Sequence, residues 1–232
     1  MRFGRCDLRC RWCDSPHTWK AAAECRFELS RGSGRFRSCA NPVEIEAAVA
    51  AAEALDLPAH RFASLTGGEP LLQPEAAHEL ARALRARGPR IHLETHGLAV
   101  EPLEQIVDAV DVVSMDWKLA SDVRREGVAF REPGESFDAE HERFLRVALR
   151  APEVVVKVVV TPATRDAELR EVAARVAAVD AAVPLVVQPV TPCGGVREAP
   201  SAQRLLGIVA ELSKQLRDVR LVPQTHKGIG VL

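Results

Sequence analysis

No apolar run in the chain approaches the roughly 18–20 residues of a membrane span. There is no positively charged n-region followed by an apolar h-region and a small-residue cleavage site, which argues against export and for a cytoplasmic protein. A basic excess is missing too. The 31 Lys and Arg are cancelled by 32 Asp and Glu, so direct nucleic-acid binding through charge is not expected. Tyrosine is absent and aromatics make up only 4%; this composition, rich in Ala, Val and Arg, carries no chemical signal of its own. Six cysteines in 232 residues are too few for a disulfide scaffold. What is plentiful is apolar material, 47% of residues, enough for one sizeable core and too much for a disordered chain.

The apolar residues fall into two alternating patterns. Short β-rich runs occur at 62–66, 91–95, 111–116, 153–161 and 184–190, with a remnant at Arg2-Phe3 and a last short run at 219–222. Between them lie stripes at helical spacing. One is Ile45, Val49, Ala52 and Leu55, behind an Asn41-Pro42 pair that reads as an N-cap and first helical position. Others are Ala77, Leu80 and Leu84; Phe137, His141, Phe144, Leu145 and Ala148; Leu169, Val172, Val176 and Val179; and Leu205, Val209, Leu212 and Leu216. Strand–helix alternation implies an α/β fold with a parallel sheet and right-handed crossovers. The strand number predicts a partial, open β/α barrel of about six strands, with ligands at the C-terminal strand ends. The whole chain reads as one domain. Residues 18–40, with Ser30-Arg31-Gly32-Ser33-Gly34, have no clear period and read as an insertion or flap.

Cys6, Cys10 and Cys13 form a Cys-x3-Cys-x2-Cys cluster, and Cys25, Cys39 and Cys193 are scattered. Three thiolates can hold three irons of a [4Fe-4S] cluster, leaving the fourth iron open to an exogenous ligand. The alternative is a zinc knuckle completed by a residue such as His17, although no second ligand pair is present. The scattered cysteines read as inert. A second motif, Leu65-Thr66-Gly67-Gly68-Glu69-Pro70, closes a strand. Its glycines allow close backbone approach to a ligand, or simply form a βα turn.

The cysteine cluster followed by Gly67-Gly68-Glu69-Pro70 at a strand end resembles the radical S-adenosylmethionine (SAM) superfamily. The segment from Cys6 to Ser15 resembles, more narrowly, the 7-carboxy-7-deazaguanine synthases. So do Leu93–Gly97, Ser114–Lys118, Gln188–Val190 and Pro223–Lys227, in the same order. The resemblance implies a lyase that converts 6-carboxy-5,6,7,8-tetrahydropterin to 7-carboxy-7-deazaguanine with loss of ammonia, a step toward queuosine and related deazapurines. It implies a [4Fe-4S] cluster, SAM and Mg²⁺ as cofactors, a flavodoxin-like electron donor and a homodimer.

Residue by residue, the resemblance places the cluster on Cys6, Cys10 and Cys13 and Mg²⁺ on Ser15, where the family usually has Thr. It places SAM against Trp12, Cys13, Asp14, Gly68, Ser114, Asp116, Lys118, Gln188 and Pro189, and the pterin against Arg2 and Thr66. Glu94 reads either as a ribose or amine contact or as a structural carboxylate. Each assignment has a plainer reading: Lys118 as a solvated loop lysine, Gln188 as a backbone partner, Ser15 as a cap. Only five residues precede Cys6, whereas the family usually has about two dozen that supply substrate contacts. SAM binding near normal with weak pterin binding is therefore expected. A glycyl-radical activating enzyme and a non-catalytic metal module are the alternative functions.

Overall fold

In the computed structural model, residues 1–131 and 134–228 are described. In chain order the elements are β1 (Arg2–Phe3), β2 (Leu8–Cys10), β3 (Glu24–Glu28), β4 (Phe36–Ala40), α1 (Ile45–Glu53), β5 (Phe62–Gly67), α2 (Pro74–Arg85), β6 (Arg90–Thr95) and α3 (Val100–Ile106). There follow β7 (Val112–Asp116), β8 (Val123–Arg125), α4 (Asp138–Ala148), β9 (Glu153–Val160), α5 (Asp166–Asp180), β10 (Leu185–Pro189), α6 (Ala202–Leu212), β11 (Val219–Leu221) and α7 (Thr225–Gly228). No helix among the described residues is long and apolar enough to cross a membrane.

Seven strands form one sheet in the order β1-β5-β6-β7-β9-β10-β11, and every pair in it is parallel. This is the expected partial β/α architecture. The sheet has one strand more than expected because the Arg2-Phe3 remnant and the short run at 219–221 both pair, one at each edge. Strand order follows chain order along the sheet, so each crossover returns beside the strand it left. All the C-terminal strand ends consequently share one rim.

The strands are less uniformly apolar than a sheet covered on both faces would be. Leu65, Ile91, Leu93, Val113, Met115, Val156, Val158, Leu185 and Val187 are buried in one core with Leu80, Leu84, Leu103, Phe144, Val172 and Leu212 of the helices. The alternate positions carry Ser64, Thr66, His92, Glu94, Ser114, Asp116, Lys157 and Gln188, all only partly buried. A strand's side chains alternate between faces, so this second set lines the face without helices. The period of two decides that polar lining, and the helix stripes decide which face is covered.

Two local expectations change. The N-cap of α1 is Glu44, without a side-chain cap bond, while Asn41 Nδ2 instead donates to Ala22 O at 2.9 Å. Pro42 follows Asn41 through a cis peptide bond, outside the helix. Residues 18–40 are not merely loop: β3 and β4 form an antiparallel hairpin there, with Cys25 opposite Cys39. Its alternation is illegible in the sequence because most of both faces is exposed. A second small antiparallel pair, β2 with β8, lies over the rim.

Candidate active site at the strand ends

Residues 1–15 are the organising segment. They run along the C-terminal rim and meet the strand ends one after another. Gly68 N donates to Phe3 O at 2.9 Å, and Glu69 N donates to Arg5 O at 2.8 Å, at the end of β5. Asp7 meets His96 beyond β6 at 3.0 Å. Trp12 lies under Lys118 beyond β7, with Nζ 4.6 Å from the ring centroid. Arg11 N donates to Asp122 O, and Gly195 N donates to Arg11 O beyond β10. Asp14 faces Lys227 beyond β11 at 3.3 Å.

The paired glycines make the first of these contacts possible. A Cβ on Gly68 would lie 2.0 Å from Arg5 O, and one on Gly67, at φ +135°, would lie 2.3 Å from Phe3 N. No larger residue fits without moving the segment that carries Cys6. Glu69, the third residue of the motif, is wholly buried. Its carboxylate accepts from Leu71 N (3.0 Å), Thr95 Oγ1 (2.8 Å) and His96 N (2.8 Å). This carboxylate ties β5 to β6 and has no contact with solvent.

Cys6, Cys10 and Cys13 are each half-buried, and Cys13 N closes a turn onto Cys10 O at 3.2 Å. Burial pushes the Cys6 thiol up to about 11 and the Cys10 thiol up to about 12; Lys118 pulls both back only in part. Such thiols ionise when a cation takes the proton's place. Among the described residues no group of three His, Cys, Asp or Glu side chains converges as a single-ion site requires, and His17 is exposed. A cubane needs no such convergence, because each thiolate takes its own iron. The donor set fits an iron–sulfur cluster better than a zinc ion.

Asp116 and Lys118 form the charged centre of the rim. Lys118 Nζ lies 2.6 Å from Asp116 Oδ2, and Lys157 Nζ lies 2.8 Å from Oδ1. Burial would raise the Asp116 carboxyl, but the two lysines outweigh it and hold it at about 2. Burial would likewise lower Lys118, yet Asp116 drives it well above the usual lysine range. Lys118 is thus a buried, paired cation and not a solvated loop lysine. His141 supports it from beneath: Lys118 N donates to His141 Nε2 at 2.8 Å, so Nδ1 carries the proton given to Gly97 O, also at 2.8 Å. Burial drives His141 down to about 3, so it is neutral. In the sequence His141 stands only in an apolar stripe. The one signal it offered was a lone imidazole among Phe137, Phe144 and Leu145.

Ser114 Oγ bonds His92 Nε2 at 2.8 Å, and His92 Nδ1 faces Ser64 Oγ at 3.2 Å, a polar ladder across β7, β6 and β5. Gln188 and Pro189 stand opposite Val159 and Val160 at the end of β10. Thr66 stands opposite Arg2. Ser15 occupies the N-cap position of a short 3-10 turn but makes no side-chain cap bond. Its hydroxyl instead donates to Asp14 Oδ1 (2.9 Å) and accepts from Arg2 Nη1 (3.2 Å). Cys193 reaches the same segment, its thiol donating to Trp12 O at 3.1 Å. Two open surface depressions lined by Pro74, His78, Arg82 and Asp108 lie on the outer helices and contain none of these groups.

The fold is a parallel α/β sheet whose C-terminal rim gathers three half-buried cysteines, a tight glycine turn and a buried ion pair. Residues 2–176 match the family model described as the radical SAM superfamily. A 7-carboxy-7-deazaguanine synthase of Geobacter sulfurreducens is 31% identical over 239 residues, covering 100% of this chain and 89% of that protein. One of Methanothermobacter thermautotrophicus is 32% identical over 240 residues, covering 100% of this chain and 88% of that protein. A protein of Methanocaldococcus jannaschii named a putative glycyl-radical enzyme activating enzyme is 36% identical, but over 73 residues, only 31% of this chain. Among solved structures, a radical SAM methyltransferase from Sphaerobacter thermophilus superposes with a TM-score of 0.56 at 18% identity, covering 81% of this chain and 58% of that one. The structure of TYW1 with a lysine-pyruvate adduct bound gives 0.57 at 11% identity, covering 92% and 71%. These two likenesses concern the fold alone.

The chain belongs to the radical SAM superfamily. Within it, the chain belongs to the 7-carboxy-7-deazaguanine synthase family.

Proposed function

We propose that the chain is a radical SAM carbon–nitrogen lyase converting 6-carboxy-5,6,7,8-tetrahydropterin to 7-carboxy-7-deazaguanine with loss of ammonia. The observation that carries this reading is similarity to synthases of that name along the whole chain, with the cysteine segment laid across the ends of β5, β6, β7, β10 and β11. The cofactors are a [4Fe-4S] cluster, SAM and Mg²⁺. When bound, the cluster and SAM supply a one-electron cleavage that yields a hydrogen-abstracting radical. The protein positions, charges and dries the space around that event.

Cys6, Cys10 and Cys13 hold the cluster in this reading. SAM lies along Trp12, Cys13 and Asp14 and meets Gly68, Ser114, Asp116, Lys118, Gln188 and Pro189. The Asp116–Lys118–Lys157 group supplies fixed charges that need no reorganisation when a zwitterionic ligand arrives. Arg2 and Thr66, opposite each other at the sheet edge, take the pterin. Ser15 offers Mg²⁺ a hard oxygen beside the Asp14 carboxylate. Ser15 Oγ would hold the cation only by giving up the bond it accepts from Arg2, whose guanidinium would then be free to pair with a carboxylate of the substrate.

The proposal extends to a single domain over residues 1–232 in which the segment at 18–40 is an insertion. It also includes a flavodoxin-like electron donor, a homodimer and a cytoplasmic location. These rest on the family resemblance and the need for an external electron.

Anaerobic reconstitution followed by SAM cleavage with and without carboxytetrahydropterin tests the function. Expected are about four irons and four sulfides per chain, and a Mg²⁺-stimulated deazapurine product. Ser15→Ala should weaken the Mg²⁺ response, while Ser15→Thr keeps it. Stoichiometric zinc without iron uptake, or cleavage with no deazapurine even at pterin concentrations raised to offset weak binding, would overturn the reading. A glycyl radical raised on a protein partner would favour the activating-enzyme alternative instead.

A further inference from the structure

Cys25 and Cys39, scattered in the sequence, face each other across the β3–β4 hairpin. The ladder sets their relation. Asn41 N donates to Ala23 O and Leu29 N donates to Arg35 O, so alternate pairs, Cys25–Cys39 among them, are the hydrogen-bonded ones of an antiparallel ribbon. Such pairs hold their Cα atoms about 5.5 Å apart, inside the roughly 4.4–6.8 Å that a disulfide spans. The two sulfurs already stand 3.0 Å apart, and both thiols are free and only partly buried. The largest charge effects on Cys25 are those of Cys39 and Arg37.

The hairpin also lacks what normally stabilises a ribbon. None of its residues enters a buried hydrophobic cluster, and Leu29 and Phe36 are exposed. Its strands are joined by side-chain pairs on the surface, Arg26 over Phe36 and Arg37 over Phe27. A lone two-stranded hairpin of this kind is marginal in water. Its base nevertheless abuts the site. Asn41 bonds Ala22, and a Cβ on Gly4 would lie 3.3 Å from Ala21 Cα. Trp19 stacks on Arg9, with the guanidinium carbon 4.6 Å from the ring centroid.

We propose that Cys25 and Cys39 form a thiol–disulfide modification site that closes by exchange with a small-molecule disulfide. One protein thiolate attacks a sulfur of RSSR and releases RS⁻, leaving a mixed disulfide. The second protein thiolate attacks the protein sulfur of that intermediate and releases the other RS⁻. The two protein thiols give up two electrons and two protons, and RSSR becomes two RSH. The bond joins the two strands covalently and encloses the tip at residues 29–35. The site stands apart from the substrate reading and is read out by mass.

The test uses the full chain, reconstituted anaerobically, treated with oxidised glutathione, then alkylated under denaturing conditions. Of the six cysteines, four should be alkylated and the chain should lose two hydrogens. Trypsin cuts after Arg26, Arg31, Arg35 and Arg37, so peptides 21–26 and 38–61 should remain joined until a dithiol reductant is added. Cys25→Ser should abolish the joined pair while leaving the cluster iron content unchanged. Six alkylated cysteines, a persistent glutathione adduct on Cys25 or Cys39, or a bond from either to Cys193 would each overturn the proposal.

Discussion

His96 Nε2 donates to Asp7 Oδ1 at 3.0 Å, joining residues 89 positions apart and pinning the residue next to Cys6 to the end of β6. The far side of the ring faces Glu69, Nδ1 to Oε2 at 3.4 Å, so the imidazole lies between two carboxylates. Burial alone would pull His96 down; Glu69 and Asp7 outweigh it and the net shift is upward. Glu69 is itself held by Leu71, Thr95 and the His96 backbone. The cluster segment is thereby keyed to two strand ends through one buried chain of bonds. His96→Gln should leave the fold intact, lower stability by about 1–3 kcal/mol, and reduce iron bound per reconstituted chain. Urea midpoints and iron assays check both, and an unchanged iron content would show that Asp7 is held by other means.

Lys118 is the next test, because it is a buried cation whose removal leaves Asp116 with Lys157 as its remaining cationic partner. Lys118→Met should cost about 3 kcal/mol, the usual penalty for breaking a buried pair, and abolish measurable SAM binding. The double variant Asp116→Asn, Lys118→Met should recover part of the stability without recovering SAM binding. Calorimetric titration with SAM and thermal unfolding separate the two effects. Full SAM affinity in the single variant would remove Lys118 from the ligand site.

Two glycines make a matched pair. Gly68→Ala drives a methyl into the Arg5 carbonyl, where the neighbour is backbone and cannot rotate away. A loss of 3 kcal/mol or more is expected, on the order of the worst overpacking, with cluster incorporation failing before the fold does. Gly207 lies inside α6 with nothing within 4 Å of an added Cβ. Gly207→Ala should raise stability by about 0.5–1 kcal/mol and leave iron content unchanged. Equal behaviour of the two variants would refute the packing role of Gly68.

His141 gives the fold an acid-sensitive component. Its folded pKa is depressed to about 3, against an ordinary value of 6.5, because burial disfavours the cation. Between those values the unfolded chain binds the extra proton. The stability is fully present above pH 6.5 and falls by about 1.4 kcal/mol per unit as pH drops toward 3. His141→Gln, which still offers a donor and an acceptor toward Gly97 O and Lys118 N, should be less stable at pH 7 but lose less on going to pH 5. Urea unfolding at the two pH values measures the difference. Parallel losses in both proteins would mean that another group carries the acid sensitivity.

The sequence by itself determined the α/β class, the cysteine cluster and the glycine turn, because each is written in local spacing: strand-length runs, helical stripes, three thiols within eight residues. Boundaries fell within a few residues for most strands, as with β6, expected at 91–95 and found at Arg90–Thr95. Only the tertiary structure decided that His96 meets Asp7, that His141 lies beneath Lys118, that Arg2 bonds Ser15 and that Cys25 faces Cys39. Glu69 shows the limit well: the turn motif says nothing of where its carboxylate goes, and the fold buries it and gives it Leu71, Thr95 and His96 as partners. The physical reason is range. Periodicity and spacing act within a turn or a strand, whereas a buried polar group takes its partners from whichever strand ends the sheet order brings beside it.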